Sequence, residues 1–234
     1  SPNVVASLSF TTQPAETAVV GVEFTAQPVV KLYDQYDNLC TGDSATGVTL
    51  SAVLASEGIT RGGGTFSGTT NPQTAAAGVV TFAGLNYTKT ENIKLKATSG
   101  IITKDSNQVT MSSSSAVILN VTGITASSNA GTASDVVVTA KDVYDNVATG
   151  YSGTIHFTSI DNYATLPSNY KFVSEDNGTH TFAGGVTLKT VGTQSVTATD
   201  TVTGTITSTQ SGITITPAVA VKIIFTSAAQ SITA

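Results

Sequence analysis

Apolar and polar residues alternate along this chain in short runs, and the runs come in corresponding pairs. Val30, Leu32 and Asp34 share one face of a segment that ends in a turn, and Val138, Ala140 and Asp142 repeat that arrangement further on. A period of two is that of a strand with one face buried. "GVTLSAV" then sends Val48 and Leu50 inward where "GTIHFTS" sends Ile155 and Phe157. Later, Ile93, Leu95 and Ala97 correspond to Val196 and Ala198, and the last strand of each set turns Val109 and Met111, or Ile213 and Ile215, to the core. About seven short strands per set, separated by Gly, Asn, Asp and Ser turns, predict a β-sandwich of about 100 residues, written twice. No segment carries a sustained helical period with caps, so helix is expected to be minimal. In "EDNGTH", Asn177-Gly178 predicts a two-residue hairpin that would bring Phe172 and Phe182 together in the core.

Two anchors fix the repeat. "QYDNLCTG" at residues 35–42 returns as "VYDNVATG" at 143–150, and "TFAG" at 81–84 returns at 181–184. The two spacings differ, as they would if the copies had unequal loops, which absorb length changes cheaply. The predicted domains are residues 1–115 and 116–218, with short linkers near Ser112–Ser115 and Pro217 that limit bending. Residues 219–234 read as the opening strand of a further repeat, or as a strand donated to a neighbouring subunit.

Composition narrows the class. Thr, Ser, Val, Ala and Gly dominate, which suits pleated, half-buried surfaces rather than helices. With 15 acidic against 10 basic residues and no basic cluster, a nucleic-acid partner is not expected. No run approaches the about 18–20 apolar residues of a helical membrane span. Cys40 is the only cysteine, which excludes an intrachain disulfide; its counterpart in the repeat is Ala148, so it reads as a small core filler. A Ser/Thr-rich, nearly Cys-free β chain is expected outside the cell, as a processed or trimmed piece of a microbial surface protein.

A strand followed by Asp-x-Tyr-Asp-Asn, a short apolar pair, Thr-Gly and a strand of the "GTIHFTS" kind resembles the immunoglobulin-like repeats of bacterial and archaeal surface proteins, including the invasin-like and bacterial Ig-like groups. The resemblance is clearest where "KDVYDNVATGYSGTIHFTS" is followed by "TLKTVGTQSVTATDTVTG". It implies tandem sandwiches in a stalk, adhesin shaft, filament, surface layer (S-layer) or enzyme-associated spacer, and it implies no activity. The chain departs from antibody-type domains in having no Trp and no inter-sheet Cys pair.

Several residues could carry chemistry. Asp34 and Asp142 point inward at strand ends, where each carboxylate can tie down its own turn through free backbone N–H groups. The alternative is calcium, for which Asp34, Asp37 and Asn38, or Asp142, Asp145 and Asn146, supply hard oxygen ligands; the dense acids and closing Glu of a calcium loop are missing. His156 is expected to face solvent and His180 to sit at the core rim, so no hydrolase site is indicated. "RGGGTFSGT" lacks the Lys-Ser/Thr of a phosphate loop and reads as a flexible or bulged insertion, suited to module-specific binding. Asn86, Asn120 and Asn177 begin Asn-x-Thr glycosylation patterns, of which Asn177 in a tight turn is the poorest acceptor. Tyr151, Tyr163 and Tyr170 are the clustered aromatics that could form a ligand surface. The expected function is a non-enzymatic extracellular structural module whose partners are neighbouring repeats or subunits. The alternatives are an adhesin-type module that binds glycan or a host protein, and a fibre subunit assembled through its C-terminal strand.

Overall fold

The computed structural model describes residues 4–68 and 72–224. In the first repeat the strands are β1 (Ser7–Thr12), β2 (Thr17–Val19), β3 (Val29–Tyr33), β4 (Gly47–Leu54), β5 (Phe66–Ser67), β6 (Gln73–Thr74), β7 (Val79–Thr81), β8 (Asn86–Tyr87), β9 (Asn92–Ser99) and β10 (Ile102–Ser112). The second repeat runs through β11 (Ile118–Thr122), β12 (Ser127–Asn129), β13 (Ala133–Lys141), β14 (Thr154–Ser159), β15 (Tyr170–Lys171), β16 (Thr179–Thr187), β17 (Gly192–Asp200) and β18 (Thr207–Thr216). One 3-10 turn, Ser174–Asp176, is the helical content of the described residues.

Both repeats build the same pair of sheets. A three-stranded sheet has the order β1-β3-β7 in one and β11-β13-β16 in the other; a five-stranded sheet has the orders β2-β10-β9-β4-β6 and β12-β18-β17-β14-β15. In each, the first strand of the repeat crosses over, pairing antiparallel with β3 in the first and then parallel with the last strand, as in Thr110 opposite Thr17 and Thr214 opposite Ser127. These are two immunoglobulin-like β-sandwiches in tandem along the chain.

The alternation predicted from sequence is the alternation observed. Val30, Leu32, Val48, Leu50, Ile93, Leu95, Ala97 and Val109 are buried, as are Val138, Ala140, Ile155, Phe157, Val196, Ala198, Ile213 and Ile215. Cys40 and Ala148 are both buried fillers, and burial pushes the Cys40 thiol up. Burying side chains of the Val/Leu/Ile class contributes about 1.5–3 kcal/mol each.

Asn177-Gly178 does not form the predicted hairpin. Asn177 caps the 3-10 turn in the left-handed region (φ 47°), and β15 pairs with β14 instead, Ile155 opposite Tyr170, so β15 and β16 lie in different sheets. Phe182 therefore packs on Phe157 (5.0 Å between ring centroids) and Tyr170 (5.3 Å) rather than pairing with Phe172.

The sheets respect the repeat boundary, but the compact units do not. Unit 1 comprises Ser1–Ile118 together with Ala140–Ser152 and Val173–Gly178, and unit 2 comprises Leu119–Thr139, Gly153–Phe172 and Thr179–Ala234. The second octapeptide thus belongs to the unit built mainly from the first repeat. Residues 217–224 form no strand, and Val219, Val221 and Ile223 are 86, 96 and 88 % exposed. The remainder of the segment read as an opening or donated strand, residues 225–234, lies outside the described residues.

Candidate functional site

The repeated octapeptide forms one corner, built twice. Where β3 ends, the Asp34 N–H donates to the Asn38 carbonyl (3.0 Å) and the Asp37 N–H to the Asp34 carbonyl (3.1 Å). Asp34 Oδ1 accepts the backbone N–H groups of Tyr36 and Asn38, each at 2.9 Å, and the Asn38 side-chain amide donates across both carboxylate oxygens at 3.3 Å. The second copy has the same bonds: Asp142 N–H to the Asn146 carbonyl, Asp142 Oδ1 accepting from Tyr144 and Asn146 at 2.9 Å, and the Asn146 amide 3.2 Å from both oxygens. The left-handed residues are Asp37 (φ 62°) and Asp145 (φ 65°), not the Asn or the Gly. Aspartate tolerates that conformation better than most residues because its side chain bonds locally.

A glycine braces each corner. In "GVVTFAG" and "GTHTFAG", Gly78 and Gly178 accept from Leu32 and Ala140, and a Cβ on either would lie 2.6 Å from the carbonyl oxygen of Cys40 or Ala148. Asn177-Gly178 thus has Ala77-Gly78 as its counterpart, a two-residue turn across which Ala76 and Val79 exchange both backbone hydrogen bonds, and in each copy the positive φ (76° and 78°) and the close approach to a carbonyl require the glycine.

The copies differ in their surroundings. Asp34 is half-buried and Asn38 exposed, whereas Asp142 and Asn146 are both 2 % exposed. In unit 1 the Asn146 amide donates to the Thr88 carbonyl (2.9 Å) and its Oδ1 accepts the Thr90 N–H (3.1 Å), while Asp142 Oδ2 accepts the Ser114 N–H (3.1 Å). The Tyr144 ring lies over Gly21, where a Cβ would meet its hydroxyl at 2.2 Å. Tyr36 is 75 % exposed, against 40 % for Tyr144.

Electrostatics follow from these bonds. Backbone N–H groups of Asn38 and Tyr36 hold the Asp34 carboxyl below its usual value. Burial pushes Asp142 up, but donors from Asn146, Ser114 and Tyr144 more than offset it and leave that carboxyl low. Carboxylates so occupied are poor bases and poor ligands. Among the described residues no three His, Cys, Asp or Glu side chains converge as a metal-holding group, and Asp145 reaches out to Lys141 (2.7 Å). The geometry lends the calcium reading no support.

One residue that sequence reasoning passed over does comparable work in unit 2. Asp161, 3 % exposed, accepts from the N–H groups of Tyr163, Lys189 and Thr190 and from the Thr190 hydroxyl (2.6 Å). Burial raises its carboxyl, yet these four donors bring it down to about 2. "Asp-Asn-Tyr" straight after a strand was the available signal, the same Asx-turn grammar as the octapeptide.

The remaining candidates separate. Tyr170 is stacked on His180 (3.9 Å) and packed against Phe172 and Phe182, so it is a packing residue, while Tyr163 is 74 % exposed and Tyr151 belongs to unit 1. His156 is exposed and bonds Asn169, and His180 is half-buried at the edge of the aromatic cluster. Asn86 and Asn120 are half-buried in β8 and β11; Asn177 is exposed, with its amide donated to the Glu175 carbonyl. The triple-glycine insertion is held rather than loose: the Gly63 N–H donates to Glu91 (2.7 Å), the Gly64 N–H to the Tyr87 hydroxyl (2.6 Å), and Tyr87 donates to Glu91. Burial and that Glu91 bond push the Tyr87 hydroxyl up.

No protein-family model matches the chain, and no curated protein matches it. Similar solved structures include FdeC, a broadly conserved Escherichia coli adhesin, at 18 % identity over 92 % of this chain and 66 % of that one, with a TM-score of 0.41. The Yersinia pseudotuberculosis adhesin InvE is similar at 18 % identity, over 89 and 58 % of the two chains, with a TM-score of 0.37. Domains 5–6 of the S-layer protein SbsC give 14 % identity over 92 and 98 %, with a TM-score of 0.32. The chain spans about two thirds or less of the two adhesin chains. The immunoglobulin-like assignment rests on the strand order described above.

Proposed function

We propose that the chain is a non-enzymatic structural module of an extracellular array, a stalk, filament or surface layer, whose repeated octapeptide is a construction element. The observation that carries this reading is the fate of the second copy. Its acid and amide, the groups that could have done chemistry, are buried and spent on backbone N–H and carbonyl groups of the linker and of residues 88–90. The partners are then adjoining repeats, joined through backbone hydrogen bonds. Protease shaving and immunogold labelling of source cells test the location; label at the cell surface is expected, and label confined to the cytosol overturns the reading.

The pinned insertion favours a second reading, an adhesin-type module. A loop held by Tyr87 and Glu91 is preorganised and loses little entropy on binding. Glycan-array binding that disappears on Arg61→Ala would support it, and a blank array would remove it.

A further inference from the structure

The corner in unit 1 is a mated contact with two components, and each component recurs unmated elsewhere in the chain. The mated parts are Asn146, bonded to the Thr88 carbonyl and Thr90 N–H, and Tyr144, seated on Gly21. The receiving parts can be located in the second repeat by hydrogen bonding. The Gly21 N–H donates to the Tyr87 carbonyl and the Gly131 N–H to the Leu188 carbonyl, each at 2.8 Å. Ile93 pairs with Val109 as Gln194 pairs with Ile213, so the spacing from Tyr87 to Ile93 equals that from Leu188 to Gln194. Gly131 is therefore the counterpart of Gly21, Lys189 of Thr88, and Val191 of Thr90.

Each counterpart is open where the original is covered. A Cβ at Gly131 would meet nothing within 4 Å, although its left-handed φ of 85° matches the 73° of Gly21. Val191 is 55 % exposed and Lys189 exposed, whereas Thr88 and Thr90 are half-buried. At the other end, Tyr36 and Asn38 have the internal geometry of Tyr144 and Asn146 and are exposed. An inserting half and a receiving half on different parts of one chain make a heterologous contact, which propagates rather than closes.

We infer that the Gly131–Lys189–Val191 surface is a docking seat for an adjoining repeat of the same kind, which enters through its own Asp-x-Tyr-Asp-Asn corner with Tyr on Gly131 and Asn on the Lys189 carbonyl and Val191 N–H. The occupant is fixed by chemistry: a planar amide that donates and accepts two residues apart along a backbone, with an aromatic ring beside it for a glycine. The chain leading to it is residues 217–224, whose exposed Val219, Val221 and Ile223 precede "FT" as Leu8 precedes "FTT". The inference rests on the array reading but is separable from it, since surface repeats could be strung together without docking.

The test is a chain of residues 1–226 followed by residues 12–115 of the same sequence, which aligns Phe225-Thr226 with Phe10-Thr11 and appends a third repeat. Amide exchange at Val191 is read by NMR in this chain and in the 234-residue chain. The expected result is slowing by about tenfold in the longer chain, the factor that one net hydrogen bond is worth. Asn38→Ala in the appended copy, or Gly131→Val in the seat, should restore the fast rate while Val196 in the core stays protected. Equal Val191 exchange in the two chains overturns the inference. Slowing that survives both substitutions overturns it as well.

Discussion

Gly21→Ala and Gly131→Ala form a matched pair that isolates the seat of Tyr144. Both glycines have left-handed backbone, φ 73° and 85°, so alanine at either costs about 1–2 kcal/mol for the conformation alone. They differ in space. At Gly21 the added Cβ meets the Tyr144 hydroxyl, Cε2 and Cζ at 2.2, 2.3 and 2.5 Å, while at Gly131 it meets nothing within 4 Å. Relieving that overlap means compressing the contact or expelling the ring, an overpacking cost of about 1–3 kcal/mol. Gly21→Ala should thus destabilise unit 1 by about 2–5 kcal/mol and Gly131→Ala should destabilise unit 2 by about 1–2 kcal/mol. With Tyr144→Ala in the background the excess at Gly21 should vanish, a coupling of about 1–3 kcal/mol in a double-mutant cycle. Urea unfolding followed by the NMR amide signals of Leu95 for unit 1 and Val196 for unit 2 reads the two separately. Equal costs at the two glycines, or an excess that persists without Tyr144, would refute the packing argument.

Gly178→Ala, with its Cβ 2.6 Å from the Ala148 carbonyl oxygen and φ 78°, should cost about 3 kcal/mol or more by urea unfolding, and Gly78→Ala the same at Cys40; a loss under about 1 kcal/mol at both would deny the glycine brace. Asp161→Ala should destabilise unit 2 by about 2 kcal/mol at pH 7, the worth of a carboxyl lowered from 3.8 to about 2. Because the folded value is the depressed one, this stabilisation is complete above about pH 4 and is lost as pH falls towards 2, so wild type and Asp161→Ala should converge in acid titrations; parallel curves would show that the carboxylate is not the cause. Calorimetric melting of the chain with millimolar calcium and with chelator should give the same Tm, and a rise with calcium would reinstate the octapeptide as a metal site.

Much of the fold was legible because burial imposes a period of two. Val30, Leu32, Val138 and Ala140 could be assigned to the core from parity, and the shared "TFAG" placed β7 and β16 in corresponding positions. What parity cannot show is which strand a segment pairs with. Asn177-Gly178 has the composition of a hairpin turn and its positive φ values, yet β15 pairs with β14 and not with β16, a choice of partner that no local pattern reveals. The site shows the same limit. The bonds inside the octapeptide follow from its own residues, and so the two copies match within a few tenths of an ångström. Their opposite burial depends on Thr88, Thr90 and Ser114, residues far away in sequence and of no distinctive type.

The central claim is that the second octapeptide is a structural fastening, and the amide of Thr90 reports on it most directly. That N–H donates to Asn146 Oδ1 at 3.1 Å, a partner removed by Asn146→Ala, whereas Asn38 lies in the other copy. Hydrogen exchange at Thr90 should be slow in the wild-type chain, faster by about tenfold in Asn146→Ala, and unchanged in Asn38→Ala. Exchange at Thr90 that is indifferent to Asn146→Ala while Leu95 remains protected would contradict the account.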